Sequence, residues 1–250
     1  MTRLEAWQLQ VGAAVVFAAV WEGVYRLGII SPIIFGAPSL VWQAALTDGG
    51  TFMAAFQVTL VEIAVAIAIA WVLGVGFGVL VGLIPGVSRV AAVTLSALIA
   101  VPLVVLYPLF LAWLGLGPAS KIVFGVMSGI FPIALNTMIG VQGIERGYAT
   151  MATAMGAGRG QVLFQVLAPL AFPAIVSGLR LGTALIVIGV VLSEMLASTD
   201  GIGFWISYHR ALFNSGQVYL GILLALVIAG LANAALSALE RTFVRRRGES

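Results

Sequence analysis

Long apolar runs separated by short polar stretches dominate the chain. The runs are continuous and do not alternate with polar residues, which predicts helices and not the strands of a membrane barrel. Read as spans of roughly 20 residues each, they cover residues 7–27, 58–84, 90–114, 122–141, 174–196 and 218–239. The pattern therefore predicts an all-α, polytopic membrane helix bundle of about six transmembrane helices. The first run follows Arg3 as a secretory signal would. However, Trp21, Glu22 and Tyr25 make a poor small-residue cleavage site, so a retained span is expected.

One stretch interrupts this rhythm. Residues 148–173 read YATMATAMGAGRGQVLFQVLAPLAFP and lie between the fourth and fifth runs. Met151, Ala152 and Met155 recur at helical spacing, so a short helix with one apolar face is expected, broken by the glycines at 156, 158 and 160. A second short helix, QVLFQVLA, carries Val162, Phe164, Val166 and Leu167; Pro169 is expected to stop it and Pro173 to mark re-entry into the next span. An insert with its own apolar face either lies on the membrane or docks into another protein. The residues alone leave both open.

Composition agrees with the membrane reading. Of 250 residues, 62% are hydrophobic and 8% charged, against about 25% charged in soluble domains. With no cysteine, the chain can form neither a disulfide nor a thiolate metal site. With a cytoplasmic N-terminus, Arg3, Arg89, Arg146, Arg159, Arg241 and Arg245 to Arg247 fall inside, with Arg180 near the same face, and only Arg26, Lys121 and Arg210 fall outside. The positive-inside rule favours that orientation, with both termini and the insert cytoplasmic. The basic tail, residues 241–250, then reads as an anchor near anionic headgroups, and nucleic-acid binding is not expected.

Within the runs, Gly74, Gly78 and Gly82 line one helix face at four-residue spacing, which suits close helix contact within one subunit or between two. Pro102, Pro108 and Pro132 are expected to kink the third and fourth spans. Glu62 and Glu194 lie toward the outer ends of their spans. Both could extend to the interface, or they could face protein or water, as charges at membrane depth normally do. Asn136, mid-span, requires a partner or a cavity. No zinc motif, aspartate cluster, nucleophile elbow or phosphate-binding loop is present, so neither catalysis nor a metal site is expected, and any ATP hydrolysis belongs to another subunit.

The insert resembles the cytoplasmic coupling motif of permease subunits of bacterial ATP-binding-cassette importers: Glu-Ala-Ala, three residues, Gly, nine residues, Ile, one residue, Leu-Pro. Ala152 stands at the third motif position, Gly156 at the glycine, Val166 at the isoleucine and Pro169 at the proline. Thr150, Met151 and Ala168 replace the usual glutamate, alanine and leucine. The lost acid removes one ion-pairing group for a partner but not the helix. Further stretches, including GVGFGVLVGLIPGVSRV and SEML followed by Gly201-Ile202-Gly203, resemble the nitrate/sulfonate/taurine branch of these type I importers, the binding-protein-dependent transport system inner-membrane component family. Glu62 replaces a basic residue common there, which argues against a simple inorganic anion as solute.

The resemblance implies a permease with an N-terminal helix and periplasmic loop over residues 1–50, a core over 51–240 containing the coupling loop 145–173, and a cytoplasmic tail over 241–250. It implies a homodimer in the bacterial inner membrane, two ATPase subunits that bind ATP and Mg, and a periplasmic binding protein delivering a small organic or anionic solute. Thr150, Met151, Ala152, Met155, Gly156, Ala157 and Arg159 would couple to the ATPase. Glu62, Tyr107, Asn136 and Glu194 are candidates for the translocation path. Without the resemblance, the alternative is a secondary transporter or channel working without an ATPase.

Overall fold

A computed structural model describes residues 3–28, 35–144 and 146–248. The helices, in order, are α1 (Arg3–Arg26), α2 (Pro38–Thr47), α3 (Gly49–Gly82), α4 (Pro85–Ala100), α5 (Tyr107–Leu114), α6 (Pro118–Gln142), α7 (Arg146–Ala154), α8 (Arg159–Gln161), α9 (Ala168–Leu196), α10 (Ile202–Ala211) and α11 (Ser215–Gly248). No strand occurs among the described residues. Four helical stretches are long and apolar enough to cross a membrane: Gly49–Gly82, Pro118–Gln142, Arg159–Leu196 and Ser215–Ala238.

The third predicted run is not one straight helix. It breaks between α4 and α5, with a 77° bend, and the pair counts as a fifth span if taken together. Pro102 precedes a short 3-10 turn over Leu103–Leu106, and Pro108 sits in the first turn of α5, where its missing N–H costs nothing. The first expected span falls on α1. At 24 residues it is long enough, but Gln8, Gln10 and Glu22 make it less apolar than the others. Pro132, by contrast, sits inside an unbroken α6.

The chain divides into two compact units, Met1–Thr59 with Glu194–Leu226, and Leu60–Ser193 with Val227–Ser250. In the first, Val41, Ala44, Phe52 and Leu220 form a core, with Trp205 and Tyr219 packed against it. The Trp21 indole donates to the Gly36 carbonyl at 2.6 Å and its ring lies 5.4 Å from that of Tyr219. The expected periplasmic loop therefore contains a helix, α2, and part of a packed core.

In the second unit, α6 is held by small residues on two sides. A Cβ at Gly78 of α3 would lie 2.6 Å from the Ala134 carbonyl and from Thr137, while Gly74 and Gly82 meet Ile133 and Val141 in the same way. On the other side, a Cβ at Gly182 of α9 would lie 2.3 Å from Ile133 and 2.8 Å from the Gly129 carbonyl. The glycine stripe thus serves contact within the subunit. In lipid, where burial of apolar surface does not drive helices together, this close backbone approach provides the dispersion contacts.

The fifth span departs from expectation at its start. Pro169 does not end a short helix: the backbone runs helically from Arg159 to Leu196. Residues Val162–Leu167 form a π-helix, and the Ala168 N–H bonds the Leu163 carbonyl five residues back. A proline ring normally clashes with the carbonyl four residues before it; the wider π turn ahead of Pro169 relieves that clash, so the helix continues.

Candidate functional site

The segment between α6 and α9 is built around a single turn. At the end of α7 the Gly156 N–H bonds the Thr153 carbonyl and the Ala157 N–H bonds the Ala152 carbonyl, both at 3.0 Å. This pair of bonds is a Schellman cap, with Gly156 at φ +87° as its left-handed residue. The expected turn at this glycine is present, and its position has space around it: nothing lies within 4 Å of a Cβ there. The chain then restarts at α8, where the Gln161 side chain accepts the Gly158 N–H at 2.9 Å.

On this frame the apolar face expected of α7 points outward. Met155 is 82% exposed and Met151 66% exposed. Thr150 and Arg159 are exposed as well, whereas Ala152 and Ala157 are half-buried. Tyr148 and Phe164, absent from the expected set, are also more than half exposed. Val162 faces inward instead, so the π-helical stretch turns one apolar side chain into the protein and leaves the ring of Phe164 outside. The motif pattern points to Gly156 but carries no signal for Tyr148.

The expected path residues do not share one site, and Glu62 and Glu194 each belong to a buried polar cluster. Glu62, 2% exposed, forms an ion pair with Lys121, 3% exposed, in the first turn of α6. Both side chains are buried within the chain. Tyr107 packs edge-on against Phe124, 5.1 Å between centroids, one turn along α6 from Lys121. Asn136 satisfies its amide locally by donating to the Pro132 carbonyl at 2.9 Å.

Glu194, 1% exposed, anchors the second cluster. Its carboxylate accepts the Thr59 hydroxyl at 2.7 Å and the Gly203 N–H at 2.7 Å. The Thr59 oxygen in turn accepts the Ile202 N–H at 2.8 Å. These are the first free N–H groups of α10, where negative charge is favoured. Gly201 must adopt φ +99° to bring them there, and a Cβ on it would lie 2.3 Å from the Glu194 carboxyl. Thr59 is a partner the sequence reading missed. Glu62, Tyr107 and Glu194 are thus enclosed within the single chain, whereas Asn136 is half-buried.

The chain matches, over residues 74–249, the family described as binding-protein-dependent transport system inner membrane component. A taurine transport system permease protein of Escherichia coli (strain K12) is 31% identical over 248 residues, covering 96% of this chain and 90% of that protein. A putative aliphatic sulfonates transport permease protein of Bacillus subtilis (strain 168) is 27% identical, covering 93% and 85%. A nitrate import permease protein of Synechocystis sp. is 30% identical, covering 76% and 67%. A solved structure titled as an inward-facing conformation of the MetNI methionine ABC transporter superposes with TM-score 0.66 at 20% identity, covering 77% of this chain and 95% of that one. This last likeness concerns the fold.

Proposed function

The chain belongs to the binding-protein-dependent transport system inner membrane components, the permeases of ATP-binding-cassette importers, and from that premise we propose that α7 and the Gly156 turn are its transmission to a separate ATPase. The observation that carries this reading is the exposed apolar face of α7, Met151 and Met155 with Tyr148 beside them, ended by a fixed left-handed turn. An apolar surface on a segment between two spans suits a groove on a protein partner. The Schellman cap ends α7, and the helix that follows it runs unbroken into α9.

Two copies of the chain form the translocation path, and each presents one α7 to one ATPase subunit. ATP and its Mg ion bind on those partners. When the ATPase pair closes, the two α7 helices are drawn together, and α9, continuous with the insert through the π-helical stretch, carries the movement into the bundle. Such a shift requires the ATPase to bind the two states of the bundle with different affinity. The outward-open path accepts a small organic or anionic solute from a periplasmic binding protein, in keeping with the taurine, sulfonate and nitrate permeases among the relatives. Both termini and the insert lie on the cytoplasmic side.

The test is Gly156→Val in liposomes holding the permease, its ATPase and its binding protein. The substitution strains a left-handed position by about 1–2 kcal/mol, small against the packing of the helices. Expression is expected to stay near normal, while uptake and solute-stimulated ATP hydrolysis fall together. Wild-type uptake by this variant would remove the transmission role from the turn.

A further inference from the structure

A cavity of about 400 Å³ lies where the α2–α3 junction meets α10, within the first compact unit. The chain has only two aspartates, Asp48 and Asp200, and one histidine, His209, and all three line this cavity. The rings of Phe204, Trp205 and Tyr208 line it as well. Trp205 and His209 are 4.3 Å apart between centroids, and Phe204 stacks on Tyr208 at 5.8 Å and 29°. The volume is that of a small-ligand site, and the mix of aromatic walls with a few converging polar groups is typical of one.

The charge balance within the cavity is one-sided. Asp48 accepts from the Gln217 amide at 3.1 Å and the Thr47 hydroxyl at 3.3 Å, and Asp200 accepts from the Thr199 hydroxyl at 2.9 Å. All three donors are neutral, and neither aspartate joins any of the ion pairs found among the described residues. Burial lowers the His209 pKa, opposed by the charge of Asp48, so the imidazole is neutral at pH 7.5. Arg210 follows His209 on α10 but does not line the cavity. Two aspartates therefore line the same cavity as the aromatic rings, with no lysine or arginine among its lining residues. Carboxylates and the π faces of tryptophan and tyrosine both attract cations, and the same surface repels a sulfonate or nitrate.

We propose that this cavity is a binding site for an organic cation, an alkylammonium or guanidinium group held by Asp48 and Asp200 with Trp205 and Tyr208 against its flat or carbon-bearing face. The group belongs either to a free small solute or to a lysine or arginine side chain of a soluble partner.

His209 provides the readout, because a chain with one histidine has one imidazole signal. The full chain, with a tag free of histidine, is labelled with ¹³C-histidine, placed in nanodiscs at pH 7.5 and titrated with methylguanidinium, then with methylurea as the neutral isostere. The expected result is a saturable shift of the His209 signal with methylguanidinium and none with methylurea. Asp48→Asn and Asp200→Asn each weaken the response at least about tenfold, the scale of one charge-assisted hydrogen bond. Asp200 is exposed and bonds only a neighbouring hydroxyl through its side chain, so its variant keeps the test valid if Asp48→Asn misfolds. No saturable shift up to about 100 mM, far above the millimolar scale of weak specific binding, an equal response to methylurea, or full binding by a folded Asp200→Asn variant overturns the proposal. Adding the cognate binding protein to the loaded sample separates the two sources: displacement of methylguanidinium identifies a basic side chain, and retention identifies a free cation. That second step alone rests on the importer reading; the titration stands without it.

Discussion

The carboxylate of Glu194, at the C-terminal end of α9, accepts the N–H of Gly203, in the first turn of α10, at 2.7 Å. Nine residues apart in sequence, they tie the end of α9 to the start of α10. Thr59 from α3 completes the arrangement by donating to the same carboxylate and accepting from Ile202. The buried carboxylate thereby accepts from two donors, which offsets part of its desolvation. Thr59→Val removes both functions of the hydroxyl and leaves the carboxylate short of a donor. It should destabilise the chain by about 1–3 kcal/mol, and Thr59→Ser should recover most of that. Thermal unfolding of the purified variants in detergent, followed by tryptophan fluorescence, checks the order wild type, serine, valine.

The Glu62–Lys121 pair makes a different prediction. Removing one member of a buried ion pair leaves an uncompensated charge and costs about 3–5 kcal/mol, while replacing both with apolar residues is often neutral. Lys121→Met should therefore sharply lower the yield of folded protein, and Glu62→Leu combined with Lys121→Met should restore it. If the double variant unfolds as readily as the single, the pair contributes more than charge balance. Restored folding with wild-type uptake would also exclude Glu62 from the translocation path.

Docking by the α7 face predicts a selective loss. Met155 is the most exposed residue of that face, at 82%. Met155→Asp should leave folding and membrane insertion unchanged and reduce co-purification of the ATPase at least about tenfold, on the scale of burying a charge in an apolar groove. Co-purification at the wild-type level would place the docking surface elsewhere.

The proposed orientation is open to labelling, because the chain has no cysteine of its own. Cysteines at Ser39 and Asn214, both exposed, should react with an impermeant maleimide from the periplasmic side. One at Gly147, exposed in the insert, should react only after the membrane is permeabilised. The reverse pattern would invert the topology.

His209 should titrate below the ordinary histidine value of about 6.5. Because its folded-state pKa is lowered, its contribution to stability is fully present above that value and is lost as pH falls through the lowered pKa. Asp48 acts against the shift, so Asp48→Asn should lower the pKa further, as read from the histidine ¹³C signal against pH. A rise in that variant would mean that Asp48 does not face the imidazole.

The sequence by itself determined the class of the protein and located the glycine turn that we propose couples it to an ATPase. Continuous apolar runs can satisfy their backbone in lipid only as helices, and a glycine after Met155 at the end of an amphipathic turn is the residue that can take φ +87° without strain. Such features are local, set by residues within a turn or two of each other. Tertiary structure decided which polar groups meet. Nothing in the spacing of Glu62 and Lys121, or of Thr59 and Glu194, announces a pair, because a buried charge finds its partner through the packing of separate helices. The same packing assigned the glycine stripe of α3 to contact with α6 within one subunit, since small residues mark a close approach without naming the neighbour. At Pro169 the local rule was overridden: the wider π turn before it let the helix run on into the fifth span. The cavity beside α10 belongs with these outcomes, for Asp48 and Asp200 lie 152 positions apart in the chain and only the fold brings both to one cavity.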